Sequence, residues 1–578
     1  MSKESLSRPL RPYLFHSFQR AQCLHSARAF TAGLPSPDRP AARHDVTHDF
    51  EKRVAQLERH KQPSAWYPRI AQSRRNLRVG RNELQNFGKR LHNGETDPNA
   101  FHPEGHGGML VGKITAIRSA GSKLVFMDIA TEAGTVQAVC KLPHLEQSDP
   151  AVTSESWKGF TKTARKGDYY SVVGHKHVTE RGELSLLASE LPRLLSPSLH
   201  QVPEAYEQTE ARARNRHVDM IVNAEAIQTL QMRHEIEAGI QGFFNEREFV
   251  KVTTPLLSAT AGGAAARPFE TVATELSDER LQLRIAPELW LKRLVVGGMP
   301  KVYELGPAFR NEGVDATHNP EFNICEFYEA YASLGQLMTT TERLMCELDA
   351  YMESLREIGR FSALSPSTIR PRYTETGGSI SEVAQFPRVE FIPTLEEKLG
   401  TRLASLESKE AYSQIAALFA ERNISEPINP TLPRLLDALA AGYLEPLSND
   451  QPIFITHHPA CMSPLSKHFM CPKTGQTIAA RAELFIGGRE YANMYEEENS
   501  PFEQRRKFEE QLQQGLRDAE AMQLDEDYLR CLEWGLPPTG GWGCGVDRLV
   551  MLFSGRERIS DVLAFGSLRN VVGLGKRW

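Results

Sequence analysis

No run of about eighteen apolar residues occurs in the chain, so nothing in it reads as a helix built to span a bilayer. The eight cysteines (Cys23, Cys140, Cys325, Cys346, Cys461, Cys471, Cys531 and Cys544) include no CxxC pair. No histidine stands at zinc-ligand spacing from them, which argues against a structural zinc site and fits a reducing compartment. Neither GxGxxG nor GxxxxGK[ST] is present, so a nucleotide bound here must be held by charged side chains. A regular βαβ repeat is missing too, which disfavours a Rossmann domain. What is present is a 578-residue chain, 40% hydrophobic and 24% charged, the composition of a globular protein with two domains plus extensions. The net charge of −5 is uneven, with a basic front end and acids concentrated later.

Residues 1–37 hold Lys3, Arg8, Arg11, Arg20 and Arg28 against a single acid, Glu4. This is the composition of a mitochondrial transit peptide, and Arg28-Ala29-Phe30-Thr31 suggests processing after Phe30. A basic arm that binds RNA is the alternative. We expect a presequence over 1–30 and a basic extension over 31–107. Within the extension, Glu51 to Arg59 is helical in pattern, and Arg69 to Arg90 is either solvated surface or loose attraction for a phosphate backbone.

From Met109 the pattern turns to short strands. Leu110, Gly112, Ile114 and Ala116 alternate with polar positions; Leu124 to Asp128, Val136 to Cys140, Tyr169 to His175 and Leu184 to Leu187 follow. Five strands in ~85 residues predict an OB-fold barrel over 108–195. Pro192 to Pro203 reads as the start of a linker, placed at 196–228, and an α/β domain of antiparallel type fills 229–578, making the chain α+β and multidomain. There, Ile236, Ile240, Phe243 and Phe244 share a helical face, Val250 and Val252 alternate as a strand ending at Pro255, and Ser500-Pro501-Phe502-Glu503 reads as a capping box.

Two segments carry chemistry. Phe309-Arg310-Asn311-Glu312-Gly313 leads into Thr317-His318-Asn319-Pro320-Glu321-Phe322. An arginine and a glutamate two apart on a strand point the same way, and a turn through Gly313 returns the His318–Phe322 segment beside them. Arginine can fork a carboxylate or phosphate and Phe322 can stack on a base; a salt-bridged surface hairpin is the plainer alternative. Glycines 541, 543 and 545, followed by Arg548, strip one strand face of side chains. Either a flat ligand lies there under Arg548 or the strand and next helix simply pack tightly.

These segments resemble motifs 2 and 3 of the class II aminoacyl-tRNA synthetases, and the helix and strand ending at Pro255 resemble their dimer-forming motif 1. Gly262–Phe269, Arg284–Leu289, Cys325–Tyr328, Ser463–Leu465 and Glu483–Glu490 are similar to the lysyl-tRNA synthetases of subclass b, and the basic front end suggests a mitochondrial-matrix form. The resemblance runs from about Gly112 to Val572. It implies an OB-fold anticodon-binding domain followed by an antiparallel-sheet catalytic domain. The implied activity is ATP-dependent attachment of lysine to tRNA(Lys), by a homodimer that uses Mg2+. By the resemblance, Arg310 contacts the lysine carboxylate and the ATP α-phosphate, and Glu312 and His318 surround ATP. Phe322 and Arg548 sandwich adenine, and Glu483 and Glu490 hold Mg2+, an ion that favours carboxylate oxygens. Gly263, Glu288, Glu326, Tyr328, Asn493, Tyr495 and Glu497 match lysine-contacting positions, with Tyr328 and Glu497 on the ε-ammonium. Arg310 and Arg548 are the residues expected to carry catalysis. Arg118, Gln137 and Glu183 match anticodon-reading positions. Leu124 stands where the family has a stacking phenylalanine, and Phe126, two residues on along the same face, is the expected substitute.

A buried ammonium needs opposite charge, so a cluster of acids suits lysine, whereas an aspartate-specific site of the same subclass would need a cation there. An aspartyl or asparaginyl synthetase is the second enzymatic reading, and Glu288, Glu326 and Glu497 argue against it. A synthetase-like RNA-binding protein without catalysis is the reading from another class. The presence of Arg310, Arg548, Glu483 and Glu490 argues against it.

Overall fold

The computed structural model describes residues 44–59, 66–68, 108–131, 134–260, 262–263, 266–371, 385–515 and 524–574. The expected presequence, the stretch Arg69 to Arg90, and Ala264 and Ala265 lie outside them. Two compact units are present, Met1–Gln201 and Val202–Trp578.

The first unit is built on alternation. Strands β1 (Gly108–Ser119), β2 (Leu124–Thr131), β3 (Gly134–Lys141), β4 (Tyr169–Val178) and β5 (Leu184–Ala188) send Leu110, Ile114, Val125, Met127, Ile129, Ala138, Val172 and Leu186 inward. The strand order β1-β2-β3-β5-β4, with β4 also paired to β1, closes the barrel, and the β3–β5 pair is parallel. The helix Ser154–Thr163 starts on a Thr153–Ser156 capping box and delivers Trp157 and Phe160 to the same core. The expected linker start contains a sixth strand, β6 (Arg193–Ser196), paired with β4. The helix expected near Glu51 begins at His44, and it is not all solvated surface. Arg53 is buried, donating to Asp168 at 2.7 Å and to the Thr163 carbonyl at 2.6 Å, so this arginine ties the helix to the barrel.

The second unit centres on an eight-stranded sheet. Its strands are β7 (Val250–Lys251), β8 (Lys301–Phe309), β9 (Glu321–Ala330), β10 (Arg388–Glu390), β11 (Ile453–Thr456), β12 (Arg481–Ile486), β13 (Arg489–Glu496) and β14 (Thr539–Gly545). They are ordered β10-β11-β12-β13-β14-β9-β8-β7, parallel only in the β7–β8 and β10–β11 pairs at the two edges. Period-two alternation divides its faces. Tyr303, Cys325, Phe327, Ala482, Leu484, Met494, Trp542 and Cys544 join a core with the helices Ala224–Glu246, Leu334–Glu357 and Val546–Ser554. Phe244 stacks on Tyr303 with centroids 4.9 Å apart, and Phe327 on Trp542 at 5.2 Å. The alternate residues face the opposite way, and that face carries the site.

Three local expectations are corrected. The strand expected through Val252 is only Val250–Lys251; beyond it the Val252 amide still donates to the Tyr303 carbonyl, but the Thr254 amide turns to the Glu304 side chain instead of continuing the ladder. Strand β8 ends at Phe309, so Arg310 and Glu312 sit in a loop. Ser500 accepts from the Glu503 amide as expected, but Glu503 pairs with Arg506 and the Ser500 amide donates to Glu498, so the box is half made.

Candidate active site

The sheet brings the expected residues together as cross-strand rungs. On one rung lie Glu326 of β9, Gly543 of β14, Asn493 of β13 and Glu483 of β12; on the next lie Tyr328, Gly541, Tyr495 and Arg481. Over them opens a cleft of about 600 Å³. Its lining includes Gly263, Glu288, Arg310, Glu312, His318, Phe322, Glu326, Tyr328, Glu483, Glu490, Asn493, Tyr495 and Arg548. That volume is ordinary for a small-molecule site.

At one end the cleft is lined by buried acids. Tyr495 donates to Glu288 at 2.8 Å and Tyr328 donates to Glu326 at 3.3 Å. Burial, reinforced by Glu288, pushes the Glu326 carboxyl up to about 8 against the opposing pull of Arg310. Gly263 has φ +94°, and a Cβ there would stand 3.0 Å from that of Glu288, so the loop passes close over this acid. Glu497 is the exception among the expected contacts. It is fully buried behind the cleft wall, paired with Lys292.

The glycine strip has two uses. A Cβ on Gly541 would lie 1.9 Å from Glu497 Oε1 and 2.6 Å from Tyr328 Cε1, so this glycine makes room for the acid and the phenol. On Gly545 a Cβ would meet only the Arg548 side chain, at 3.8 Å, leaving this end bare for a flat ligand.

At the other end, β8 and β9 form a hairpin in which the Arg310 amide donates to the Pro320 carbonyl at 2.8 Å. The Arg310 guanidinium lies 5.1 Å from the Phe322 ring centre. Arg548 donates to the Glu490 carbonyl at 2.8 Å and stands 3.3 Å from His318 Nε2. His318 is in turn placed by Asp315, 2.9 Å from its Nδ1. Gly487 and Gly488, with φ of +59° and +72°, make the tight turn that sets Glu483 and Glu490 on neighbouring strands.

Several site residues lie outside the motifs described above. Arg481 donates to Asn493 at 3.1 Å and to Ser463 at 3.0 Å and also pairs with Glu483. His458 stands 3.0 Å from Glu483. Burial works against ionisation of Glu483, but Arg481 and His458 outweigh it and hold the carboxyl down at about 2. Asp437 and Glu445 line an adjoining hollow with Glu483 and Glu490. Burial and these neighbouring acids push Glu445 up to about 7 and raise Asp437 as well. The alternation in Arg481-Ala482-Glu483 could have shown that the arginine shares a face with the glutamate; nothing local marks Asp437 or Glu445.

Among the described residues no group of three or more His, Cys, Asp or Glu is placed to hold a metal ion unaided. Mg2+ is commonly held by one or two carboxylates plus substrate phosphates, and an ionised Glu483 beside Glu490, amid acids that repel one another, fits that manner of binding. In the barrel unit, Arg118 pairs with Asp128 at 3.3 Å, Asp128 stands opposite Gln137, and Gln137 donates to Glu183 at 3.0 Å. Phe126 stands opposite Arg118 and is half-buried. The four expected anticodon positions therefore share one barrel face.

Comparison with known proteins agrees with both units. Residues 208–569 match the family described as tRNA synthetases class II (D, K and N), and residues 109–194 match the OB-fold nucleic acid binding domain. The chain is similar to the mitochondrial lysine–tRNA ligase of Schizosaccharomyces pombe, 41% identical over 469 residues that cover 80% of this chain and 84% of the relative. It is 34% identical to the mitochondrial lysine–tRNA ligase of Saccharomyces cerevisiae, over 82% and 84% of the two chains. With the lysine–tRNA ligase of the bacterium Leuconostoc citreum it shares 35% identity, over 81% and 88%.

Proposed function

The chain belongs to the class II tRNA synthetases (D, K and N) and acts as a lysine–tRNA ligase, and we propose that it does so for translation in the mitochondrial matrix. The observation that carries the choice of amino acid is the charge of the pocket. Glu288 and Glu326 line it and Glu497 stands behind, whereas an aspartate site would need a cation there.

In this reading Gly263 and Glu288 receive the α-ammonium of lysine, and Tyr328 with Glu326 receives the ε-ammonium, with the Glu497 charge supporting them from behind the wall. Asn493 and Tyr495 complete the wall. Arg310 forks the substrate carboxylate and the ATP α-phosphate, which sets the carboxylate oxygen in line with phosphorus. Phe322 and Arg548 enclose the adenine over the bare Gly545, and Glu312 and His318 hold ATP from the loop. The carboxylate is already ionised and attacks without a protein nucleophile. The new oxygen–phosphorus bond forms as pyrophosphate leaves, and Arg310 and Arg548 balance the charge that develops. Glu483 and Glu490 would hold Mg2+, which when bound supplies shielding for the phosphate charge. The terminal adenosine of tRNA(Lys) then accepts the lysyl group from the adenylate, while Arg118, Phe126, Gln137 and Glu183 read the anticodon on the barrel.

We also propose a homodimer through the Ala224–Glu246 helix and β7, where Val250, Leu256 and Leu257 are exposed. Molar mass by light scattering should be twice that of the chain, and a monomer would reject this. Charging of tRNA(Lys) with labelled lysine tests the ligase; no lysyl-tRNA would reject it. For location, a reporter carrying residues 1–45 should enter mitochondria and emerge shortened near Phe30. Retention of the reporter in the cytosol would remove that claim alone.

A further inference from the structure

One charged side chain of the amino acid pocket has no role in the reaction just described. Lys292 lies one turn after Glu288 on the helix Glu288–Val296 and is entirely buried. Its Nζ donates to Glu288 Oε1 at 2.5 Å and pairs with Glu497, which follows β13. The rings of Tyr328 from β9, Tyr495 from β13 and Tyr528 from the helix Glu526–Leu532 surround it, each centred 5.8 Å away. Glu326 of β9 also acts on Glu497. Lys292 does not line the cleft, and Glu288 does. The Glu288 carboxylate therefore has one oxygen on Lys292 and the other on the Tyr495 hydroxyl, and so joins the cleft to the buried pair behind it.

An ammonium enclosed this completely is stable only because the carboxylates face it, and two carboxylates this close are stable only because an ammonium stands between them. Burial by itself would lower the Lys292 pKa, yet Glu288, Glu497 and Tyr528 outweigh it and hold the pKa well above the usual lysine range. Burial, with Glu288 adding to it, raises the Glu497 carboxyl well above the usual carboxylate range, and Lys292 is the main force holding that rise back.

We infer that Lys292 is a built-in counter-ion of the amino acid pocket, a positioning residue that never touches the substrate but holds Glu288 and Glu497 as an anionic pair, so that the pocket stays charged for the ammonium groups of lysine. The inference rests on the lysine reading given above. If Lys292 only filled space, a neutral side chain of equal length would serve. If it is the counter-ion, removing its charge lets a proton take its place between the two acids, and lysine must then expel that proton in order to bind.

The test uses the full chain with Lys292→Met and Lys292→Arg, and measures KM for lysine in pyrophosphate exchange from about pH 6.5 to about 8.5. Titration of Glu326 acts on parent and variants alike, so the ratio of variant to parent is the quantity to follow. For Lys292→Met the ratio should fall as pH rises, by up to about tenfold per pH unit, because one additional proton is released on binding. For Lys292→Arg the profile should run parallel to the parent, and the ATP KM should not share the trend in either variant. A Lys292→Met profile parallel to the parent, whatever its offset, would overturn the inference. Failure of the lysine reading itself would look different, since the parent would show no lysine-dependent exchange. Should Lys292→Met be too unstable to assay, its melting temperature without lysine gives a second measure. An acid whose folded pKa is raised stabilises the fold at low pH and loses that contribution as pH rises. The deficit relative to the parent should thus widen from about pH 5.5 to about 8.5, and a constant deficit would equally overturn the inference.

Discussion

Substituting Gly541 by alanine places a methyl group where the sheet face has no room for one. The new Cβ would stand 1.9 Å from Glu497 Oε1 and 2.6 Å from Tyr328 Cε1. Neither group can swing clear freely: Glu497 is paired with Lys292, and the Tyr328 hydroxyl is bonded to Glu326 at 3.3 Å. Relief must come from moving β14 or the acids behind it, and overpacking of this kind costs about 1–3 kcal/mol. Where that strain falls on the lysine pocket, the lysine KM in pyrophosphate exchange should rise about 5- to 150-fold, at about 1.4 kcal/mol for each tenfold. The ATP KM should stay within about threefold, a shift of less than 1 kcal/mol. Gly545→Ala provides the contrast, since its Cβ meets nothing nearer than Arg548 at 3.8 Å. There the melting temperature and lysine KM should hold while the ATP KM rises, because that position is assigned to adenine. A Gly541→Ala enzyme with the parent's lysine KM and melting temperature, or one whose two KM values rise together, would refute the reasoning.

Arg310→Lys keeps the charge but loses the fork, and should cost on the order of 2–4 kcal/mol in the adenylation rate measured by single-turnover quench; a rate within about threefold of the parent would count against the role. The Glu326 carboxyl, at about 8 in the free enzyme, is mostly neutral at pH 7 and ionises as pH rises. The lysine KM should therefore fall on going from pH 7 to 8.5, and Glu326→Gln should flatten that part of the profile; an unchanged slope would remove Glu326 from the lysine site. Gln137→Ala should weaken charging at limiting tRNA by about 1–3 kcal/mol while leaving tRNA-free pyrophosphate exchange as it was, and equal charging of normal and altered anticodons by mutant and parent would speak against base reading.

Much of this architecture is legible in the sequence because alternation reports which face a strand residue occupies. Glu326 and Tyr328 share a side of β9, as Gly541, Gly543 and Gly545 share a side of β14, and the register then sets those sides next to each other. What the sequence does not carry is depth. Lys292 is not singled out in the sequence, since a lysine four residues after a glutamate is common on solvated helix faces, and only the tyrosines packed over it make it an enclosed charge. Glu497 matches a contact position yet lies behind the wall, because the partner that holds it comes from a helix some two hundred residues earlier. The extended reading of Arg310 and Glu312 failed where β8 stops at Phe309, since strand ends depend on where the partner strand turns away. Arg53 illustrates the same limit: a basic residue on a short helix looks solvated until Asp168, 115 positions later, closes over it.

The central claim, that this cleft joins lysine to AMP, is tested most directly by pyrophosphate exchange with ATP and Mg2+, run separately with each of the proteinogenic amino acids. Exchange with lysine should stand far above that with every other amino acid and should be lost in Arg310→Ala. Exchange driven by aspartate or asparagine, or by no amino acid at all, would contradict it.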